Sequence, residues 1–510
     1  MRKITEHRLE EGGFDDAVQG MVKMAPWWLI SGVIHAVALL IMWQIPIDTR
    51  GSGNAARMQS DLTQKLEEPE VPLEEPEPEV PEEEIVEKIE TEEIADHNEV
   101  DTDSEFEETA GEEGLSDAPF TGPSTNSAIG LGGGAGGGKR GRGGKRNLKA
   151  GGGSGLTENA VELGLKWLAD HQDVDEDGKW DCDEFMKHDP PDDKCDGAGG
   201  NLYDVGVTGL AILAFLGAGY TDRGSAKENK YAKNVRNGLR YLMTSQSDDG
   251  VFGTRATHAF IYNHAIAALA MCEAYWMTRN PRYKKPAQDG LNFLAMARNP
   301  YMAWRYEPRG GENDTSVTGW CVMALKSGKY ANLEVDPDAF EGARAWIDKM
   351  TDPNFGQVGY NFPGGAPARP EGKQDRFPPE KSQSMTAAGV LCRIFLGEDP
   401  KASELIKKGA DLCVERPPVW NPDDGSIDMY YWYYATLALF QVGGTHWRKW
   451  NESMVDAIVK NQHQKGTGSR TGSWDPIGCW GDDGGRVYST AVLVMCLEVY
   501  YRYDRVFGVK

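Results

Sequence analysis

Two kinds of helical pattern alternate along the last two-thirds of the chain. The closing stretch, Met454 to Tyr503, shows both. In MVDAIVKNQ, Met454, Ala457, Ile458 and Asn461 recur at three- and four-residue spacing, which predicts an amphipathic helix with one buried face. RVYSTAVLVMCLEVYYRY is apolar nearly all round, as a helix buried on every side must be. Between them lies a glycine-rich loop, GTGSRTGSW, bracketed by Gln462 and Trp474. An indole there can plug the gap between helix ends while its N–H finds a carbonyl.

The same unit recurs upstream. Its loops carry DGKW (Asp177–Trp180), DDGVFG (Asp248–Gly253), YMAWRY (Tyr301–Tyr306), GQVGY (Gly356–Tyr360) and DDGSID (Asp423–Asp428). The irregular spacing, roughly 50 to 70 residues, fits helical-hairpin repeats with loop insertions. About six hairpins fit between Leu156 and Lys510, each with a polar-faced outer helix and an apolar inner one. Six such hairpins predict an all-α fold that closes into a ring, inner helices at the centre and no exposed terminal repeat.

Ahead of the repeats the patterning changes. Residues 1–25 form a short charged tail. Residues 26–46, PWWLISGVIHAVALLIMWQIP, carry no formal charge and, at about 20 residues, can span a bilayer. Trp27, Trp28 and Trp43 mark its ends. Arg2, Lys3, Arg8 and Lys23 before it outnumber Arg50 and Arg57 after it, which places the N-terminus inside. Residues 47–129 are rich in Pro and Glu and too poor in large apolar side chains to bury a core, so they predict a long, stiff, disordered spacer. Residues 130–155 form a flexible, basic glycine linker. Its KRGRGGKR core suits the chain's own acidic spacer better than RNA or anionic lipid. Residues 156–510 remain as one globular domain. The net charge of −25, concentrated in the spacer, argues against general nucleic-acid affinity.

Ser31 and His35 are four apart and share one face of the apolar span, where an ionisable group is costly and usually functional. With the EEPEVPLEEPEPEVPEEE run at Glu67–Glu84, the stretch resembles the N-terminus of TonB-type energy transducers. That resemblance implies a single-pass inner-membrane protein whose C-terminal domain is periplasmic and whose Ser31/His35 face docks on a proton-driven ExbB/ExbD-like motor. No TonB-type C-terminal domain follows. A plain anchor with a neutral, hydrogen-bonded His35 fits the same residues.

The Q…G-x-W/F loops, with the helices GVTGLAILAFLGAGY, DTSVTGWCVMAL and YSTAVLVMCLEVYYRY, resemble the prenyltransferase and squalene-oxidase repeat superfamily, which includes squalene–hopene cyclases. The resemblance implies an α/α toroid. It also supplies residues to look for. Cyclases use D-x-D-D-T-A, whose middle Asp protonates an alkene. The nearest stretch is Gly310–Ser316, GGENDTS, with Asn313 where that acid should stand, leaving Glu312 and Asp314 as catalytic candidates, Asp314 also as a helix cap. Protein prenyltransferases hold zinc on Asp, Cys and His. His258, His264 and Cys272 share one inner helix but not one face, so no zinc triad is evident. The sequence therefore favours a module that binds an apolar, glycan or protein ligand. A terpenoid-cyclase-like or prenyltransferase-like enzyme is the alternative.

Three further features carry chemistry. DVDEDGKWDCDE (Asp173–Glu184) matches the calcium-loop pattern, with Asp173, Asp175, Asp177, Lys179 (through its carbonyl), Asp181 and Glu184 as ligands for Ca2+. Gly178 and Trp180 are also the repeat's own G-x-W, so an Asp-rich repeat loop fits as well. Carboxylates pair at Asp423–Asp424 and Asp482–Asp483, as in toroid glycosidases and lyases. Tyr430, Tyr431, Trp432, Tyr433 and Tyr434 on the fifth inner helix suit stacking on a ligand, or packing between helices. Of eight cysteines, Cys182 and Cys195 share one loop and are open to pairing in an oxidising compartment.

Overall fold

A computed structural model describes residues 152–502 except 226 and 228. The chain divides into two units, Met1–Glu108 and Thr109–Lys510, and every described residue lies in the second. The 26–46 span, Ser31, His35, the spacer and most of the glycine linker therefore lie outside the described residues. Within them, no helix is long and apolar enough to cross a membrane.

Among the described residues, twelve helices form two concentric rings. The outer ones are α1 (Gly155–Asp170), α3 (Ala232–Thr244), α5 (Pro281–Ala297), α7 (Pro337–Met350), α9 (Glu404–Val414) and α11 (Gly444–Val459). Between them in sequence lie the inner helices α2 (Asp204–Gly217), α4 (Phe260–Thr278), α6 (Thr315–Tyr330), α8 (Ser384–Phe395), α10 (Met429–Val442) and α12 (Gly481–Leu497). Each inner helix packs on the next, and α12 packs back on α2, which closes the circle. A short helix, α13 (Val499–Arg502), follows. The composition of each ring follows from its position. Every residue of α8 is buried, whereas α3 buries one stripe, including Val235, Gly238, Leu239 and Leu242, as a helix between core and solvent must.

The loops explain how the repeats lock. Trp180, Trp304 and Trp474 are fully buried and donate their indole N–H to Leu168 O (2.6 Å), Leu294 O (2.7 Å) and Ile458 O (2.7 Å), each on the preceding outer helix. Phe252, Val358 and Ile427 are buried at the matching positions of the other loops. Gln172 and Gln246 each donate to the loop glycine's carbonyl and to the next outer helix: Gly178 O and Asn234 O, Gly250 O and Pro286 O. Gln462 does the same with Gly472 O and Ala160 O, and Ala160 lies in the first helix of the ring. The last repeat thus treats the first as its successor. Gly472 (φ +96°) sits so close to α1 that a Cβ would lie 2.2 Å from Leu163 O, a contact only glycine permits.

Packing and sequence repeat are offset by one helix. Each outer helix from α3 to α11 packs on the inner helix before it, and α1 packs on α12, at the far end of the chain. The ring is thus sealed by its first and last helices.

A central cavity lined by tyrosines

The six inner helices point their N-termini at one end of the ring, and a cavity of about 480 Å³ opens there. Val207 and Leu210 of α2, Tyr262 and Ile266 of α4, Ser316 and Trp320 of α6, Met385 of α8, Tyr430 of α10 and Tyr488 of α12 line its wall. Tyr203, His258, Tyr306, Tyr360 and Trp480 reach in from the loops. A segment before α8 adds Arg369, Pro370 and Glu371. The Arg369 guanidinium is buried 3.2 Å from Asp428, the N-cap of α10. Six helix N-termini create a positive field. Acidic residues stand at several of them: Asp204 opens α2, Asp314 caps α6, Asp428 caps α10, and Asp482 and Asp483 lie in the first turn of α12.

Asp314 has the most perturbed surroundings of these. Its side chain is fully buried. Oδ1 accepts the Val317 amide at 2.7 Å, the cap expected from the sequence. Oδ2 accepts the Tyr360 hydroxyl at 3.2 Å, and that hydroxyl lies 2.6 Å from the Tyr306 hydroxyl. Arg305 Nε is 3.7 Å away. Burial pushes the carboxyl up to about 7, against the pull of Val317, Arg305 and Tyr360. A chain of hydroxyls therefore runs from a buried acid to two side chains in the cavity wall. On the opposite side the Tyr203 hydroxyl donates to Asp483 Oδ1 at 3.3 Å, and burial with that carboxylate pushes the phenol up to about 12.

No family model and no curated protein matches the chain. Solved structures of similar shape include an α-1,6-mannanase of Salegentibacter sp. (11% identity, 68% of this chain and 98% of that one, TM-score 0.46). A cellobiose 2-epimerase of Bacillus thermoamylovorans (14%, 68% and 98%, 0.45) and a type II terpene cyclase of Scytonema (11%, 67% and 97%, 0.42) are others. At these scores the likenesses carry no inference about this chain. Its toroid rests on the closure of its own helices.

The residues singled out from sequence fall in different places. Asn313 is structural, its Oδ1 accepting from Asn299 Nδ2 (3.1 Å) and the Ala303 amide (2.9 Å). Glu312 points to solvent and pairs with Arg305 at 2.9 Å. His258 lines the cavity with its ring 4.9 Å from Tyr306. His264 lies elsewhere: it accepts the Phe252 amide (3.1 Å), faces Gly290 O (3.1 Å), and is driven down to about 3 by burial. It is a neutral latch for the loop. Of the aromatic run only Tyr430 faces the cavity. The Tyr431 hydroxyl donates outward to Cys413 O (2.8 Å), while Tyr433 and Tyr434 pack on Trp320. Consecutive side chains on a helix fan out at 100° steps, so five in a row cannot share a face.

In the Asp-rich loop, Asp173, Asp175, Asp177 and Asp181 are engaged by protein partners. Asp173 is taken by Lys187 (2.9 Å) and His188 (2.7 Å), and Asp175 by Lys233 (3.0 Å). Asp177 accepts the Lys179 amide, and the Lys179 carbonyl accepts the Asp173 amide. Asp181 accepts the Glu184 amide (2.7 Å) and pairs with Lys179. Cys182 and Cys195 are free and buried; the Cys182 thiol donates towards Asp483 O and Gly484 O.

Sequence reasoning missed Arg369, Trp480, Tyr203 and the Tyr306–Tyr360 pair. One signal was available for the last two. Each stands two residues after a loop plug, Trp304 or Val358, and an extended loop alternates its side chains. A plug turned into the core puts its second neighbour on the same side, at the cavity end.

Proposed function

We propose that the toroid is a binding module for a short glycan. The observation that carries this is the chemistry of the cavity wall, which combines aromatic faces with hydroxyls, an amide and carboxylates. Tyr262, Trp320, Tyr430 and Trp480 offer faces. Tyr203, Ser316, Asn263, Asp483 and Glu371 offer donors and acceptors. A saccharide needs both, an apolar ring face to stack and a polar rim to bond. The volume lies within the usual range for small-molecule sites. Titrating the full-length protein with a panel of oligosaccharides while following Trp320 and Trp480 fluorescence should give a saturable change. Trp480→Ala should weaken it at least tenfold, about 1.4 kcal/mol. No saturable response to any saccharide would sink the reading.

One observation favours a second reading, an acid-catalysed enzyme of terpenoid-cyclase-like or prenyltransferase-like type. Asp314 is held near neutrality and wired through Tyr360 to Tyr306. If the same protein converts polyprenyl substrates, and Asp314→Asn abolishes turnover, this reading replaces the first.

The resemblance of the N-terminal segment supports a wider proposal: an inner-membrane anchor, an acidic spacer, and a periplasmic toroid, with Ser31 and His35 coupling to an ExbB/ExbD-like motor. In cells, His35→Ala should strongly reduce crosslinking to such a partner. Unchanged crosslinking would leave only a plain anchor.

A further inference from the structure

The loop between α1 and α2 gathers a second set of polar atoms, none of them in the cavity wall. His171, Asp189 and Cys195 are buried, at 4%, 8% and 5% exposure, and one ligand-type atom from each lies within 4.8 Å of the others. His171 Nε2 is 2.8 Å from Asp189 Oδ1 and 3.9 Å from Cys195 Sγ.

The other atoms of these side chains are already committed. His171 Nδ1 is 2.8 Å from Trp167 O, and a carbonyl only accepts, so Nδ1 carries the proton. The ring is held by stacking on Trp167 at 4.1 Å. Asp189 Oδ2 accepts the Cys195 amide at 2.8 Å. What remains is a nitrogen lone pair aimed at a carboxylate oxygen, with a sulfur alongside. Two acceptors at 2.8 Å repel unless a proton or a cation lies between them.

We propose that His171 Nε2, Asp189 Oδ1 and Cys195 Sγ bind one zinc ion, with water in the fourth position. One nitrogen, one sulfur and one oxygen suit zinc, and the sulfur and nitrogen turn away calcium and magnesium. Bonds of about 2.0 to 2.3 Å in a tetrahedron put ligand atoms roughly 3.3 to 3.7 Å apart. The N–O pair must open and the N–S pair must close slightly, within reach of side-chain rotation. On binding, the Cys195 thiol loses its proton to solvent. Thiolate and carboxylate then balance the dication, so the buried site is neutral. The carbonyl on Nδ1 and the amide on Oδ2 are the outer partners that orient such ligands.

The location gives the ion a structural task. Asp193, two residues before Cys195, accepts the Ser469 amide at 2.7 Å. Asp196, one residue after it, accepts from the buried Arg486 through its carbonyl at 2.8 Å. Trp167 Nε1 donates to Ser469 O at 2.9 Å. The three ligands thus pin the loop by which the first repeat grips the last.

The full-length protein, freed of metal and then supplied with zinc, should hold one zinc per chain and unfold at higher temperature than without it. Cobalt in place of zinc should give a thiolate-to-cobalt charge-transfer band. Cys195→Ser should lose the band and weaken zinc by at least about a hundredfold, while Cys182→Ser and Asp177→Asn keep both. If Cys195→Ser does not fold, alkylation of the wild-type chain decides, since zinc should protect Cys195. Absence of stoichiometric zinc and of the band, a band that survives Cys195→Ser, or unprotected alkylation would each overturn the site.

Discussion

Replacing Asp314 with Asn is expected to remove a pH dependence of stability from this protein. In the folded chain the carboxyl sits at about 7, against an ordinary value of 3.8. The folded form therefore holds this proton more tightly than the unfolded form. The associated stability is fully present below about 3.8 and is lost as pH rises through about 7. Three pKa units at 1.36 kcal/mol each make the loss roughly 4 kcal/mol. Asn keeps the cap, because its side-chain oxygen can accept the Val317 amide as Asp does. The variant should match the wild type near pH 4 and exceed it by roughly that amount at pH 8. Denaturant midpoints at the two pH values measure this, and parallel pH profiles for the two proteins would show that Asp314 is not held protonated.

Trp474→Ala should cost about 3 to 5 kcal/mol, as for other fully buried indoles, and should do so at the ring seam. The indole is fully buried and donates to Ile458 O. It also lies against α1, where a Cβ on Gly164 would be 3.2 Å from its Cζ3 and 2.4 Å from the Val494 side chain of α12. Without it, α1 loses part of the surface on which it docks. Amide exchange along Gly155–Asp170 should then accelerate towards the rate of local opening. Trp304→Ala removes the matching plug of the third loop and should lose comparable stability while α1 stays protected. Equal protection of α1 in the two variants would place the seam's strength elsewhere.

The glycan reading and the zinc proposal stand on different residues, so their tests are independent. The cavity wall is built by inner-helix first turns and loops, whereas the His171–Asp189–Cys195 group belongs to the seam. A chain without zinc that still answers saccharides would lose only the second.

The architecture was readable because its signals are local. Whether a helix is amphipathic or apolar throughout depends on its own residues, and the plugs Trp180, Trp304 and Trp474 bond a carbonyl of the outer helix just before them. Gln462 and Trp474 do in the last repeat what Gln172 and Trp180 do in the first, so the pattern itself foretold a ring. Asp314 was readable as a cap for the same reason, since a cap concerns the next three residues. Its proton affinity was not, because the dielectric around it is set by what covers it, and Tyr360 and Arg305 come from two different loops.

Direction in space was the larger gap. The Asp-rich loop shows its carboxylates plainly, yet Lys187, His188 and Lys233 lie outside the pattern and take the oxygens of Asp173 and Asp175. Tyr430 to Tyr434 read as one aromatic band, and the helix turned all but one of them from the cavity.

By itself, then, the sequence determined six helical pairs and which helix of each pair is central, because burial pattern and loop chemistry are properties of neighbours in the chain. Only the tertiary structure decided that α1 seals against α12, that Asp314 sits dry behind Tyr360, and that His171 meets Asp189 and Cys195. Those depend on which atoms share a volume once the ring has shut, and distance along the chain does not encode that.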